Sequence, residues 1–222
     1  MFINRTITIP PAVVFSVRLF ALHSPQSSFR TYKNPANPLF VVIEVKMESA
    51  KCAIITGAGS GIGKAVALGM AAAGYHLVIC GRRTGPLQEV AALCKGAGGN
   101  ALAVKCDVTA EADVVAMFKK ARNHLGHLDV VFNNAGVFMP AARIDKTSLA
   151  DFQAGIDVNL TGAFLVAREA FIIMRDQKPR GGRIINNGSI AAHVPRPNSV
   201  SYSTSKHGIA GLSKSIALEG RG

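Results

Sequence analysis

Residues 52–63 read CAIITGAGSGIG, Cys52 to Gly63, and this stretch decides the fold. Its first part, Cys52 to Thr56, is a short apolar run of the kind that forms a strand covered on both faces. Its second part sets Gly57, Gly59, Gly61 and Gly63 at alternate positions, where a backbone without Cβ atoms turns tightly and comes close to a ligand. A helical stretch from Gly61 to Ala73 follows at once. The turn therefore lies at a helix N-terminus, whose free amides and dipole attract phosphate. The strict G-x-G-x-x-G template fails at both Gly57 and Gly59, and the spacing present is TGxxxGIG.

Working outward, the chain from residue 47 alternates short β-rich runs with longer helical ones. Strands are expected at Cys52–Thr56, His76–Cys80, Ala101–Lys105, Leu128–Asn133 and Arg183–Asn187, and helices at Gly61–Ala73, Gly85–Gly96, Ala110–Leu125, Leu149–Asp176 and Ser201–Glu219. That alternation predicts an α/β fold, a doubly wound parallel sheet of Rossmann-like type with helices on both faces.

The same strands place the other candidate residues at one end of the sheet. The second strand runs out into Gly81, Arg82 and Arg83. An acid at this point would hold an adenosine ribose and favour NAD, whereas space and positive charge suit the 2′-phosphate of NADP; the alternative is a solvated loop edge. Asp107 and Val108 follow the third strand, where a carboxylate can accept from an adenine amino group and an aliphatic side chain can pack on the ring. Asp107 could equally cap the helix after Thr109. Asn133, Asn134, Ala135 and Gly136 follow the fourth strand.

Tyr202 and Lys206 are four residues apart on a helical stretch and share a face. A phenol titrating near 10 is a weak acid-base group at neutral pH, and a neighbouring ammonium moves it toward the working range. Ser189, 13 residues before Tyr202, ends the fifth strand, where a hydroxyl can hydrogen-bond a substrate oxygen as charge develops on it. Asn159 sits inside a long helical stretch, an unfavourable position for asparagine that points to a specific role.

These motifs, TGxxxGIG, NNAG, Ser189, Asn159 and Tyr202-x-x-x-Lys206, resemble the short-chain dehydrogenase/reductase family in order and spacing from about Ala50 to Glu219. The resemblance implies hydride transfer between NADP(H), with NAD possible, and a carbonyl or secondary alcohol. It implies that Gly57, Gly59, Ser60, Gly61, Ile62, Gly63, Arg82, Arg83, Asp107, Val108, Asn134, Ala135 and Gly136 hold the cofactor together with Tyr202 and Lys206. It also implies that Tyr202 protonates the substrate oxygen and Ser189 polarises it, that Lys206 binds the nicotinamide ribose, and that Asn159 holds a water in a proton relay. A homodimer or homotetramer built on the last two long helices is expected in this family. The family pattern continues past residue 222 with further strands and a substrate-covering segment, so the chain reads as truncated. The companion expectation is a catalytically weak nucleotide-binding remnant that acts through protein association.

Composition agrees with one sizeable core: 222 residues, 49% hydrophobic and 17% charged, without tryptophan. The net charge of +12 raises nucleic acid as a partner, but no run of five basic residues occurs and aromatics are few, which argues against it. Cys52, Cys80, Cys94 and Cys106 show no CxxC spacing and read as reduced, packed thiols of a cytoplasmic protein. His124 and His127 have no Cys or carboxylate partners at ligand spacing, and no metal is expected. Residues 1–46 differ from the rest. Five prolines interrupt them, Glu44 is their one acid, and Ala12 to Leu22 is apolar between arginines. They read as a disordered or targeting-like extension, with Met47 as an alternative start and no 18-residue apolar span.

Overall fold

The computed structural model describes residues 29–32, 41–44 and 50–221. Two units separate, Met1–Ser49 and Ala50–Gly222. In the first, β1 (Phe29–Tyr32) pairs antiparallel with β2 (Val41–Glu44), Phe29 opposite Glu44. No strand was expected in this extension. The apolar Ala12–Leu22 segment and Met47 lie outside the described residues.

The second unit is a parallel sheet of five strands in the order β5-β4-β3-β6-β7. These are β3 (Cys52–Thr56), β4 (His76–Gly81), β5 (Asn100–Lys105), β6 (Val130–Asn133) and β7 (Arg183–Asn186). Every crossover carries helix, which is what parallel neighbours require. Alternate side chains of β3 feed two separate cores. Ala53 and Ile55 join Ala67 and Ala71 of α1 (Gly61–Ala72) and Leu87 and Val90 of α2 (Thr84–Gly96). Ile54 joins Val114, Met117 and Phe118 of α3 (Glu111–Leu125) on the opposite face. Both faces of the sheet are thus covered, and β3 is fully buried along its length, as a central strand in a doubly wound fold must be.

The helices start and stop for local reasons. Glu111 and Asp113 lie in the first turn of α3 and Arg122 and His124 in its last, each sign matching the dipole at its end. Ser148 caps α4 (Leu149–Ile156) by accepting from the Asp151 amide at 3.0 Å. The expected single helix from Leu149 to Asp176 is divided: α4 passes into a π-helical turn, Asp157–Thr161, before α5 (Gly162–Asp176). The remaining helix, α6 (Val200–Glu219), packs on α4 and on the short turn Ile190–Ala192. Strand β7 forms one edge of the sheet, and Ile185 on it is 45% exposed. Among the described residues no helix is long and apolar enough to cross a membrane.

At the opposite end of the sheet from the glycine turn, the fold corrects one expectation. His127 does gain partners: its Nε2 lies 3.0 Å from Asp129 Oδ2 and its Nδ1 3.9 Å from Cys52 Sγ. Asp129 Oδ2 also accepts from the Cys52 amide at 2.7 Å, tying the start of β3 to that of β6. Burial, with the Asp129 charge beside it, pushes the Cys52 thiol up to about 11, so Cys52 is held as a neutral packing group. All four cysteines are free and buried.

Candidate active site

The glycine turn is a set of close approaches. Gly57 has φ +64°, and a Cβ there would stand 3.0 Å from the Ala135 backbone. A Cβ on Gly63 would run into the Gly57 carbonyl and come within 2.7 Å of Asn134 Nδ2. Any side chain at either position would push the turn away from the NNAG loop. That loop is pinned to the end of β3: buried Thr56 Oγ1 accepts from the amides of Asn134 and Ala135, both at 2.9 Å, and Asn134 Nδ2 donates to the Thr56 carbonyl at 3.0 Å. Asn133 works inward instead, donating to the Ala163 carbonyl at 2.7 Å and to Asn186 at 3.1 Å.

A cleft of about 550 Å³ opens along the strand ends. Gly57, Ser60, Gly61 and Ile62 line one end, followed by Arg82, Arg83, Asp107 and Val108, then Asn134, Ala135 and Gly136, with Tyr202 and Lys206 at the other end. Gly59 and Gly63 lie behind the lining. Gly59 faces Pro86 of α2, and Gly63 packs under the turn. No carboxylate lies within ion-pair distance of Arg82 or Arg83 among the described residues. Asp107 does not cap α3, whose N-cap is Ala110. Its Oδ1 accepts from the amide and hydroxyl of Thr109 at 3.0 and 2.8 Å, an Asx turn that leaves the second oxygen without a protein donor among the described residues. The Thr109 amide, then its hydroxyl and the charge of Arg82, hold the Asp107 carboxyl below its ordinary value against the opposing effect of burial.

At the chemical end, α6 presents Tyr202 and Lys206 on one face. The Lys206 ammonium sits 5.6 Å from the centre of the Tyr202 ring and donates to the Asn187 carbonyl at 2.7 Å. Burial lowers its pKa. The Asn187 side chain donates to Asn134 Oδ1 at 2.9 Å, so one hydrogen-bonded path runs from Lys206 through Asn187 and Asn134 to Thr56. Sequence reasoning missed Asn187. It acts on the lysine through its carbonyl, which leaves no side-chain signal. Ser189 Oγ accepts from the Ala191 amide at 3.1 Å, capping the short turn with its own proton still available to donate.

Asn159 is buried in the π-helical turn and closes a two-point clamp on Val137: its Oδ1 accepts from the Val137 amide at 2.7 Å and its Nδ2 donates to the Val137 carbonyl at 2.9 Å. The locally widened helix explains how an asparagine is tolerated there. Its second amide contact, with Ser205 Oγ at 3.4 Å, reaches α6. Among the described residues no hydrogen bond joins the side chain directly to Lys206. A second cavity of about 600 Å³, with Arg143, Arg196 and His207 in its wall, lies on another side of α6 and contains none of the expected site residues.

The residues from 51 to 222 match the family model described as short chain dehydrogenase. A 3beta-hydroxysteroid dehydrogenase of Mediterraneibacter gnavus is 36% identical over 169 residues, covering 76% of this chain and 60% of that protein. A 3-oxoacyl-[acyl-carrier-protein] reductase of Synechocystis is 37% identical over 172 residues, covering 77% and 68%. Among solved structures, a 3-ketoacyl-(acyl-carrier-protein) reductase of Brucella melitensis complexed with NADH superimposes with a TM-score of 0.72 at 33% identity, over 76% of this chain and 69% of that one. The chain spans about 60 to 68% of the length of these two sequence relatives. With the glycine turn, the NNAG loop and the Tyr202–Lys206 pair converging on one cleft, the chain belongs to the short-chain dehydrogenase family of oxidoreductases.

Proposed function

We propose that the chain reduces a carbonyl compound, or oxidises the corresponding secondary alcohol, with NADP(H) as its preferred cofactor. The observation that carries this reading is the shared cleft: a glycine turn at a helix N-terminus at one end and a phenol–ammonium pair at the other, joined by the Lys206–Asn187–Asn134 path.

The residues fit a dinucleotide. Gly57 and Gly63 leave no room for a Cβ against the NNAG loop and the turn itself, which holds the glycine turn in a tight form with Ser60, Gly61 and Ile62 on the cleft, where a pyrophosphate needs the backbone close. Arg82 and Arg83 supply positive charge at the point where a 2′-phosphate would stand, and this pair is what favours NADP(H) over NAD(H). Val108 offers an aliphatic surface for adenine, and the second oxygen of Asp107 is free to accept from its amino group. Bound there, the nicotinamide supplies or accepts the hydride.

The chain's own residues handle the oxygen and the proton. In reduction the carbonyl carbon gains hydride and its oxygen gains the proton of Tyr202, so that the alcohol forms and the phenol is left as its anion until it is reprotonated from solvent. Lys206, fixed by Asn187, holds positive charge beside that anion and stabilises it. Ser189 donates to the substrate oxygen. Asn159 fixes the loop that carries Val137 and Phe138. The long helices α5 and α6 supply the association face of a homo-oligomer, on which Phe164 and Ile172 of α5 are exposed.

Purified protein tests the reading directly. NADPH fluorescence should rise on binding, and oxidation of NADPH should follow when ketones or aldehydes are added. NADPH binding with no turnover on a broad panel of ketones, aldehydes and secondary alcohols would overturn the enzymatic reading and favour a nucleotide-binding role through association.

A further inference from the structure

Phe138 lines the cleft beside Tyr202 and Lys206, is not part of the core, and is not among the residues assigned above to the cofactor. It is 72% exposed, yet its ring stacks on that of Tyr202 with centroids 4.1 Å apart and planes 22° from parallel. Single exposed apolar side chains are common; what sets Phe138 apart is that its open ring lies in the cleft and against Tyr202. The ring is also not on a free loop. Asn159 clamps Val137, the residue before it, by both amide and carbonyl. Met139, the residue after it, is only half-exposed and packs against Gly155, its Cγ 3.2 Å from where a Cβ on that glycine would stand. The backbone on both sides is held, so the ring is presented from a fixed support, and fixed presentation is what a selective contact needs.

One face of the Phe138 ring rests on the phenol proposed to protonate the substrate, and much of the rest is open to solvent. A substrate whose oxygen meets Tyr202 therefore brings its neighbouring atoms against an aromatic plane. Just beyond Ser189 the chain carries two further exposed apolar side chains, Ile190 and Val194, at 71% and 65% exposure. A polyol or sugar laid against these groups would lose water from its hydroxyls without gaining hydrogen bonds, whereas a flat or chair-shaped hydrocarbon ring would cover them.

We propose that Phe138 is the specificity-determining residue of this site and that the substrate class is ring-bearing apolar ketones and their secondary alcohols, with the hydrocarbon ring seated on Phe138. This rests on the hydride-transfer reading for the place of Tyr202, but it is a statement about binding and is testable without turnover.

The experiment uses the full chain with NADP+ present and two probes, 2-tetralone and dihydroxyacetone, whose binding is followed by ligand-observed NMR. Phe138 is exposed, so Phe138→Ala and Phe138→Leu are expected to fold as the parent does, which circular dichroism checks. 2-Tetralone should bind at least tenfold more tightly than dihydroxyacetone. Phe138→Ala should weaken 2-tetralone by about tenfold, and Phe138→Leu by less, the size expected for losing a stacked ring and its buried area. Dihydroxyacetone binding should change by less than about twofold, as an aromatic wall that it does not use would require. Equal binding of the two probes, or 2-tetralone binding unchanged by Phe138→Ala, overturns the inference even where ketone turnover continues and the hydride-transfer reading stands. In NADPH-dependent assays, an equal fall in kcat for both probes in Phe138→Ala would also overturn it, because Phe138 would then be positioning the phenol rather than selecting the substrate. Conversely, ring binding that depends on Phe138 in a chain that turns nothing over would support the wall and count against the enzymatic reading.

Discussion

The two ends of the cleft are built by different means. The phosphate end is made of backbone: Gly57 and Gly63 lie so close to the NNAG loop that no side chain fits, and Thr56 fastens that loop through main-chain amides. The chemical end is made of side chains whose partners are carbonyls and rings: Lys206 on the Asn187 carbonyl, Asn159 on Val137, Tyr202 against Phe138. Steric exclusion changes fold and affinity together, while a side-chain atom at the chemical end can be removed with the frame left standing. Substitutions at the two ends should therefore separate stability from rate.

The largest effect is expected at the chemical end. Tyr202→Phe keeps the ring that stacks on Phe138 and removes only the oxygen proposed to move the proton. Turnover should fall by about 10²- to 10⁴-fold, the usual contribution of a positioned proton donor, while NADPH affinity stays within a few-fold and the melting temperature is nearly constant. Equal activity in this variant would mean that the assigned chemistry is wrong.

Next comes the phosphate end. Gly63→Ala forces a methyl group toward the Gly57 carbonyl and Asn134, and overpacking of this kind costs about 1–3 kcal/mol. It should lower the melting temperature and NADPH affinity together. Gly69 in the same helix is the control, because a Cβ there meets nothing within 4 Å. Gly69→Ala should raise stability by up to about 1 kcal/mol through helix propensity. If both substitutions shift stability in the same direction, close approach is not what Gly63 provides. Arg82→Ala should follow in size, weakening NADPH by about tenfold and NADH by much less, the scale of one charge-assisted phosphate contact. A similar change for both cofactors would show that Arg82 does not read the 2′-phosphate.

The same contrast sets what was legible in the sequence. The strands β3 to β7 and the glycine turn could be read because their requirements fall on the residues themselves: apolar runs for strands buried on both faces, and no Cβ where the backbone must come close. Tyr202 and Lys206 could be read because helical spacing alone puts them on one face. Asn187 could not, since any residue offers a carbonyl. The π-helical turn at Asp157–Thr161 was hidden for a related reason: its buried Asn159 bonds to Val137, 22 residues away in sequence. Nothing in the sequence marks Phe138, because its stacking on Tyr202 arises only in the fold. The Cys52–His127–Asp129 contacts needed the register of β3 beside β6, which brings residues far apart in sequence to one strand end. In the first unit, the β-branched run of the four-residue strand β2 is short and follows five prolines, and no strand was read there.

The smallest expected effect is a difference in how the two ends respond to pH. Asp107, at the cofactor end, is held below its ordinary pKa first by the Thr109 amide. The unfolded chain therefore binds its proton more readily than the folded one. The stabilisation is fully present above the ordinary carboxylate range and is lost as pH falls through the lowered folded value. Lys206, at the chemical end, is lowered by burial. Below its folded pKa the buried ammonium carries its full desolvation cost, and that cost disappears as pH rises from the folded value to the ordinary lysine range. Both groups make stability rise with pH, but in separate windows, one acidic and one alkaline. Melting temperatures measured across pH should show Asp107→Asn flattening only the acidic limb and Lys206→Met only the alkaline one. A loss of both limbs in either variant would mean that the two ends titrate as one unit through the Lys206–Asn187–Asn134 path, and the division between a backbone-built end and a side-chain-built end would not hold.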